Sequence, residues 1–332
     1  FRSIRSAADH VARELVPPPL PGVPLTDLYD KQNWAWGPLE RRFGERLERP
    51  VAFILSAVRS GYTLLRMMLA GHPALFVPPE LELLPFPSLG VRRAQAKALG
   101  HEWIRLGLLS AIGELGGLSV EVAAGETEAL ERNDVAMPAV FERLQRSASP
   151  RVLVDKSPLY AHHPEWLGYA ERLFSQARYI HLVRHPASVI DSFVRMRFHR
   201  LIGRHALLWD ENPWLHAEKI WAGLNRHIVD FLAGIEPERQ LQVRFETLAT
   251  EPAAVMNEIC AFLGIRFDPA VLTPYSSQHS VRSLKANLPA IGDPNFRLRD
   301  SIDPAMAQTA GIPLFTFGAP TREVARHFQY EL

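Results

Sequence analysis

From residue 51 the chain alternates short apolar runs with amphipathic segments of helical length. The run Val51-Ala-Phe-Ile-Leu-Ser-Ala-Val58 lacks polar alternation, the pattern of a strand buried on both faces of a parallel sheet. A helix over 63–70 follows and is ended by Gly71 and Pro73. The succession recurs as strand 151–155 with helix 164–175, strand 177–184 with helix 186–197, and strand 240–245 with helix 252–263. Such alternation predicts an α/β fold, a parallel β-sheet flanked by helices. Residues 87–149 read as helical over 94–115, 126–132 and 138–146. That is too long for an ordinary crossover, so a helical cap insertion over the sheet is expected.

Ahead of this body, residues 1–16 have the pattern of a short helix. Pro17, Pro18, Pro19, Pro21 and Pro24 then make 17–25 a stiff linker. Residues 26–49, with Trp34 and Trp36, read as an arm packing on a main domain that spans 50–332. A start at Phe1 rather than Met fits a piece of a longer protein. Of the 332 residues 47% are hydrophobic and 22% charged, which excludes wholesale disorder. Lys plus Arg number 37 against 36 Asp plus Glu, and this balance argues against a nucleic-acid partner while allowing a local anion pocket. Cys260 is the one cysteine, so no intrachain disulfide framework exists. Residues 1–16 carry Arg2, Arg5 and Arg13 without a continuous apolar run, unlike a secretory signal. No apolar stretch reaches the roughly 18 residues of a membrane span. A cytoplasmic protein with no membrane partner is expected.

Candidate chemistry sits at the ends of the strands. After 51–58 comes Arg59-Ser60-Gly61-Tyr62-Thr63 and then Leu64 in the helix. A strand, a tight turn and a helix start gather backbone N–H groups where an anion binds. Gly61 lets the backbone come close, Arg59 adds a permanent charge with a planar donor fork, and Thr63 is placed to cap the helix. A Walker A loop would need Gly at Ser56 and Lys at Tyr62, so this is not one. Arg184 ends the third strand, with Pro186 opening the next helix and Ser192 eight residues on. Ligands of open α/β sheets lie beyond the carboxyl ends of the strands, so Arg59 and Arg184 on one edge point to a ligand with two separate phosphates. Each also has a plainer reading: solvation for Arg59, pairing with Asp191 for Arg184. No metal-ligand spacing such as H-E-x-x-H or paired C-x-x-C occurs, and no metal is expected.

Together, in this order, Val58-Arg59-Ser60-Gly61-Tyr62-Thr63-Leu64-Leu65 and Arg184 with Ser192 resemble the sulfotransferase superfamily, whose sulfuryl donor is 3′-phosphoadenosine 5′-phosphosulfate (PAPS). Asp155-Lys156-Ser157-Pro158 and Gln242-Val-Arg-Phe-Glu-Thr-Leu248 are similar to further segments of that family. The resemblance implies a P-loop-like fold with the donor as co-substrate. Arg59, Ser60, Gly61, Tyr62, Thr63 and Leu64 would cradle its 5′-phosphosulfate, and Arg184 and Ser192 would grip its 3′-phosphate. Tyr62 stands where the family carries a small Ser or Thr, and its ring would crowd the donor or stack beside it. A narrower resemblance, carried by residues 71–86, 292–296 and the ending Tyr330-Glu-Leu332, is to sulfotransferase domains of polyketide and peptide assembly lines. It implies transfer to the β-hydroxyl of an acyl chain held on a carrier protein.

Sulfuryl transfer needs alignment, charge neutralisation and a base. Arg59 and Lys156 supply charge, and Glu80, where related enzymes keep a carboxylate, is the candidate general base. Its plainer reading is an acid at a helix start. His162 and His163 are the alternative bases. Residues 292–296, with Arg282 and Lys285 nearby, read as a loop over the donor. Two other functions fit parts of the pattern: a P-loop kinase or nucleoside triphosphatase, and a silent nucleotide-binding module.

Overall fold

The computed structural model describes residues 46–98, 101–197, 212–275, 296, 300–309, 311 and 315–332. The N-terminal helix, the linker, most of the arm, Arg282, Lys285 and residues 292–295 lie outside the described residues. At the arm's end, Leu47 forms a β-bridge with Phe174.

The chain runs through β1 (Val51–Leu55), α1 (Tyr62–Ala70), β2 (Leu75–Phe76), α2 (Leu89–Ala98), α3 (Arg105–Gly116), α4 (Val120–Arg132) and α5 (Met137–Ala148). It continues through β3 (Val152–Asp155), α6 (Pro164–Leu173), β4 (Ala177–Val183), α7 (Pro186–Arg195) and α8 (Pro213–Leu232). Last come β5 (Gln240–Arg244), α9 (Phe245–Thr250), α10 (Pro252–Leu263) and α11 (Ala319–His327). The strands form one sheet in the order β2-β3-β1-β4-β5, and every pairing is parallel. The predicted α/β fold with a parallel sheet is therefore the one observed.

The period of two along β1 divides the interior. Val51, Phe53 and Leu55 join a core with the helices of 89–148 and α6, α7 and α8, whereas Ala52 and Ile54 join a second core with α1 and α10. Phe53 lies 5.6 Å from the Phe174 ring and 5.8 Å from that of Tyr179. Side chains buried this way each contribute roughly 1.5–3 kcal/mol. With β1 central and the register parallel, Leu55, Asp155 and Val183 finish on one edge. Arg59, Lys156 and Arg184 follow just beyond it.

Several boundaries differ from expectation. β1 stops at Leu55 rather than 58, because the chain turns away at Ser56 toward Arg59, which takes a left-handed φ of 68°. Helix α1 starts at Tyr62 with Gly61 as its N-cap at φ 89°, so Thr63 is inside the helix and does not cap it. The expected helix 94–115 is two helices joined through a tight turn at Glu102–Ile104. Helix α4 begins at Val120 because the Ser119 hydroxyl accepts from the Val122 N–H at 3.3 Å. Strand β2, too short for any pattern, and helices α8, α9 and α11 were not anticipated. Among the described residues no single helix is long and apolar enough to cross a membrane.

Candidate functional site

At the end of β1, positive φ values at Arg59 and Gly61 fold the chain sharply into α1. A Cβ at Gly61 would come within 2.1 Å of the Phe245 ring, so only glycine fits that approach. The left-handed geometry at Arg59 costs of order 1 kcal/mol. Its side chain runs across the sheet edge, and Nε donates to Ser192 Oγ of α7 at 3.1 Å. Arg184, just beyond β4, donates through Nη1 to the Arg59 carbonyl at 3.4 Å and through Nη2 to the Met306 carbonyl at 3.3 Å. Its guanidinium sits 4.3 Å from the centre of the Phe245 ring. Its own carbonyl accepts from the Trp221 indole at 3.0 Å.

Arg59, Gly61, Tyr62, Thr63, Leu64, Arg184 and Ser192 thus line one cavity, together with Phe245, Phe296 and Met306. The two arginine-bearing turns share a face. Asp191 pairs with Arg195 at 2.8 Å, so the plainer reading of Arg184 as its partner is not realised. At the base of the turn the hydroxyls of Ser56 and Ser60 are buried with no hydrogen-bond partner among the described residues. Buried orphan hydroxyls beside fixed positive charge match an anion.

Beyond Tyr62 lies a second group, closed to water. Lys156 directly follows β3, and its ammonium is paired with the Glu80 carboxylate, the two side chains being 2% and 8% exposed. That ammonium also lies 3.8 Å above the centre of the Tyr62 ring. Asp155 accepts from Ser157 Oγ at 2.6 Å and from the Tyr160 hydroxyl at 2.7 Å. Ser157 Oγ accepts in turn from the Glu82 N–H at 3.0 Å, and the Tyr160 oxygen accepts from the Leu83 N–H at 3.0 Å. Glu80 therefore sits in a stretch without helix or strand, bound to a lysine, and not at a helix start.

Burial sets the charges here. It pushes Lys156 below its ordinary range, with Glu80 pulling it back up. It lifts Asp155 to about 6 despite the two hydroxyl donors. Glu82 is fully buried at φ 47°. Burial holds its carboxyl well above the usual range, reinforced by the charges of Glu80 and Asp155. His162 is driven by burial to about 3 and stays neutral. The His163 ring packs 4.3 Å from that of Trp166. Lys285 lies outside the described residues.

Residues 50–269 match the model of a family described as the sulfotransferase family. The chain belongs to the sulfotransferase family. The solved sulfotransferase domain from the curacin biosynthetic pathway is 41% identical, superimposes with a TM-score of 0.79, and is covered in full by 87% of this chain. The sulfotransferase domain of the Synechococcus PCC 7002 olefin synthase is 39% identical with a TM-score of 0.78, again matched over 100% of its length by 89% of this chain. Both fit the narrower resemblance to assembly-line domains. Protein-tyrosine sulfotransferase 2 of Gallus gallus is 28% identical over 227 residues, 68% of this chain and 54% of that protein. Protein-tyrosine sulfotransferase A of Caenorhabditis elegans is 25% identical over 228 residues, 67% of this chain and 52% of its own. The chain spans about half the length of these curated relatives.

In this sulfotransferase, sequence reasoning missed Arg66, Glu82, Arg92, Asp155 and Tyr160 as neighbours of the site. A signal was present for three of them. Arg66 is a lone charge inside an apolar run, Asp155 ends one beside Lys156, and Glu82 is flanked by leucines. A charge in such a run needs a partner. Arg66, buried in α1, donates to the Val77 carbonyl at 3.3 Å, and burial lowers it with Glu80 counteracting.

Proposed function

We propose that this sulfotransferase takes its sulfuryl group from PAPS and places it on a hydroxyl, the β-hydroxyl of an acyl chain carried on a carrier protein. The observation that carries the reading is the junction of Arg59 with Ser192 and of Arg184 with the Arg59 carbonyl inside one cavity. A donor with phosphates at both ends of an adenosine meets two cationic turns there. The 59–64 turn would hold the 5′-phosphosulfate, with the orphan hydroxyls of Ser56 and Ser60 beneath it, and Arg184 and Ser192 the 3′-phosphate. The near-40% identity to two assembly-line domains over their whole length supports the carrier-bound acceptor.

The donor supplies an activated sulfuryl group on a phosphate leaving group. Glu80 takes the proton of the acceptor hydroxyl as that oxygen bonds to sulfur. The bond from sulfur to the bridging oxygen breaks, and Lys156 and Arg59 balance the charge left there. Glu80 and Lys156 start as an ion pair. Protonation of Glu80 removes the charge that holds Lys156, so its ammonium is released as the leaving oxygen needs it. Glu82, kept neutral by burial, does not compete for that ammonium.

Calorimetry with 3′-phosphoadenosine 5′-phosphate, the spent donor, against ATP tests the donor. One charge-assisted phosphate contact is worth about 1.5–3 kcal/mol, so the spent donor should bind roughly 10–100-fold more tightly. Equal affinities would remove the donor assignment. Mass spectrometry of a carrier-bound β-hydroxyacyl thioester incubated with PAPS tests the acceptor, and absence of the sulfonated product would remove it.

A further inference from the structure

Glu80 is held by no helix or strand of its own, since residues 77–83 form irregular chain. A carboxylate that must meet a lysine and an acceptor from such a stretch needs outside support. On the sheet side the support is the Asp155 network, which fixes the N–H groups of Glu82 and Leu83 through Ser157 and Tyr160. On the other side stand two helices of the 89–148 insertion.

Arg92 of α2 is fully buried and donates hydrogen bonds to backbone carbonyls. Nε donates to Glu82 O at 3.2 Å, and Nη2 donates to Leu81 O at 2.9 Å and also to Ile104 O. Burial lowers this guanidinium to about 10, a cost of enclosing it without a carboxylate on its hydrogen bonds. A planar fork of donors can gather carbonyls of two separate segments; a lysine ammonium on a flexible stem cannot hold them in one plane. Gly107 of α3 presses on the same stretch. A Cβ there would lie 1.7 Å from the Glu80 carbonyl oxygen. Glycine inside a helix costs about 1 kcal/mol relative to alanine, and the bare backbone is what lets α3 approach Glu80.

We propose that Arg92 and Gly107 are positioning residues, and that the helical insertion serves the reaction as the frame that seats the Glu80 carboxylate on Lys156. Its catalytic consequence rests on Glu80 being the base. A misplacement of about 1 Å at a reacting group costs on the order of 100-fold in rate.

The test uses the full chain carrying Gly107→Ala or Arg92→Lys. Crystal structures should show the Glu80 carboxylate displaced by about 1 Å or more from Lys156, and kcat on the carrier-bound β-hydroxyacyl thioester should fall about 100-fold. Affinity for 3′-phosphoadenosine 5′-phosphate should hold within about twofold, since neither residue lines the rim cavity. A merely structural role would lower the melting temperature and leave kcat per folded molecule unchanged. That result, or a Glu80–Lys156 pair superimposable on the parent, overturns the proposal. If Gly107→Ala does not fold, Arg92→Lys, which keeps the charge and the stem, decides. Glu80→Gln separates the two readings: full turnover in that variant removes the base assignment, whereas the displacement in the crystals judges the frame by itself.

Discussion

Along the rim made by the 59–64 and 184–192 turns, the two arginines line a cavity and contact a hydroxyl, backbone carbonyls and an aromatic ring. One ring away, behind Tyr62, the chain encloses Glu80, Glu82, Asp155 and Lys156, each no more than 7% exposed. The first region brings two guanidiniums to the wall of one cavity. The second completes itself with an ion pair, a neutral acid and a hydroxyl network. The proposed function puts binding in the first neighbourhood and proton transfer in the second, so substitutions should separate them.

Glu80→Gln should give the largest effect. A positioned base contributes about 10²–10⁴-fold, so kcat should fall by that factor. Affinity for the spent donor, measured by calorimetry, should stay within about threefold, because Glu80 lies outside the rim. Turnover matching the parent would remove the base assignment and leave the rim untouched.

The two regions also differ in what could be read beforehand. The rim was legible because its chemistry is contiguous: Arg59 to Leu64 follow one another, and Arg184 reaches Ser192 across two turns of one helix. Even there, Thr63 was misjudged as a cap, since the cap depends on the φ of Gly61. The meeting of Arg59 with Ser192, 133 residues apart, depends on β1 and β4 lying side by side. The enclosed region was legible only as isolated letters. Glu80 and Lys156 could be chosen by resemblance, but their pairing spans 76 residues and passes through a sheet order that places β3 beside both β1 and β2. Arg92 and Gly107 gave no local signal at all, because their partners are backbone atoms of another segment. Helix α8 was missed although Asn212 and Pro213 open it with a side-chain cap at 3.0 Å.

Arg184→Ala should act on the rim alone. Loss of charge-assisted contact costs about 1.5–3 kcal/mol, so affinity for 3′-phosphoadenosine 5′-phosphate should drop roughly 10–100-fold. ATP, which lacks the 3′-phosphate, should lose less, and the ratio of the two affinities should approach unity. An unchanged ratio would separate Arg184 from the 3′-phosphate.

Glu82→Gln should sharpen the enclosed side through pH. In the folded chain the Glu82 carboxyl is held well above its ordinary 4.5, chiefly by burial. Below the unfolded value both states keep the proton, and the contribution of the buried neutral acid is present in full. As pH climbs toward the folded value the unfolded chain loses that proton, and the contribution is lost by roughly 1 kcal/mol per pH unit at most. Asp155, raised to about 6, has the same sign but is common to both proteins and cancels. Gln carries no titrating proton. Its melting temperature relative to the parent should therefore rise as pH climbs from about 5 toward the folded value. A constant difference across that range would mean that Glu82 is not held neutral.

The smallest effect should come from Tyr62, where the two regions touch. Its ring lies 3.8 Å below the Lys156 ammonium and also lines the rim cavity. A cation over an aromatic face in a water-poor site gains about 0.5–2 kcal/mol. Tyr62→Ser restores the small residue that the family resemblance leads one to expect, yet it withdraws that support from a lysine already depressed by burial. The rim should tolerate the change, since the backbone turn is set by Gly61 and by Arg59 on Ser192. Turnover should fall about 3–10-fold, with affinity for the spent donor nearly constant. If affinity fell and turnover at saturating donor did not, the ring would belong to the rim, and the boundary between the two regions would move to Lys156.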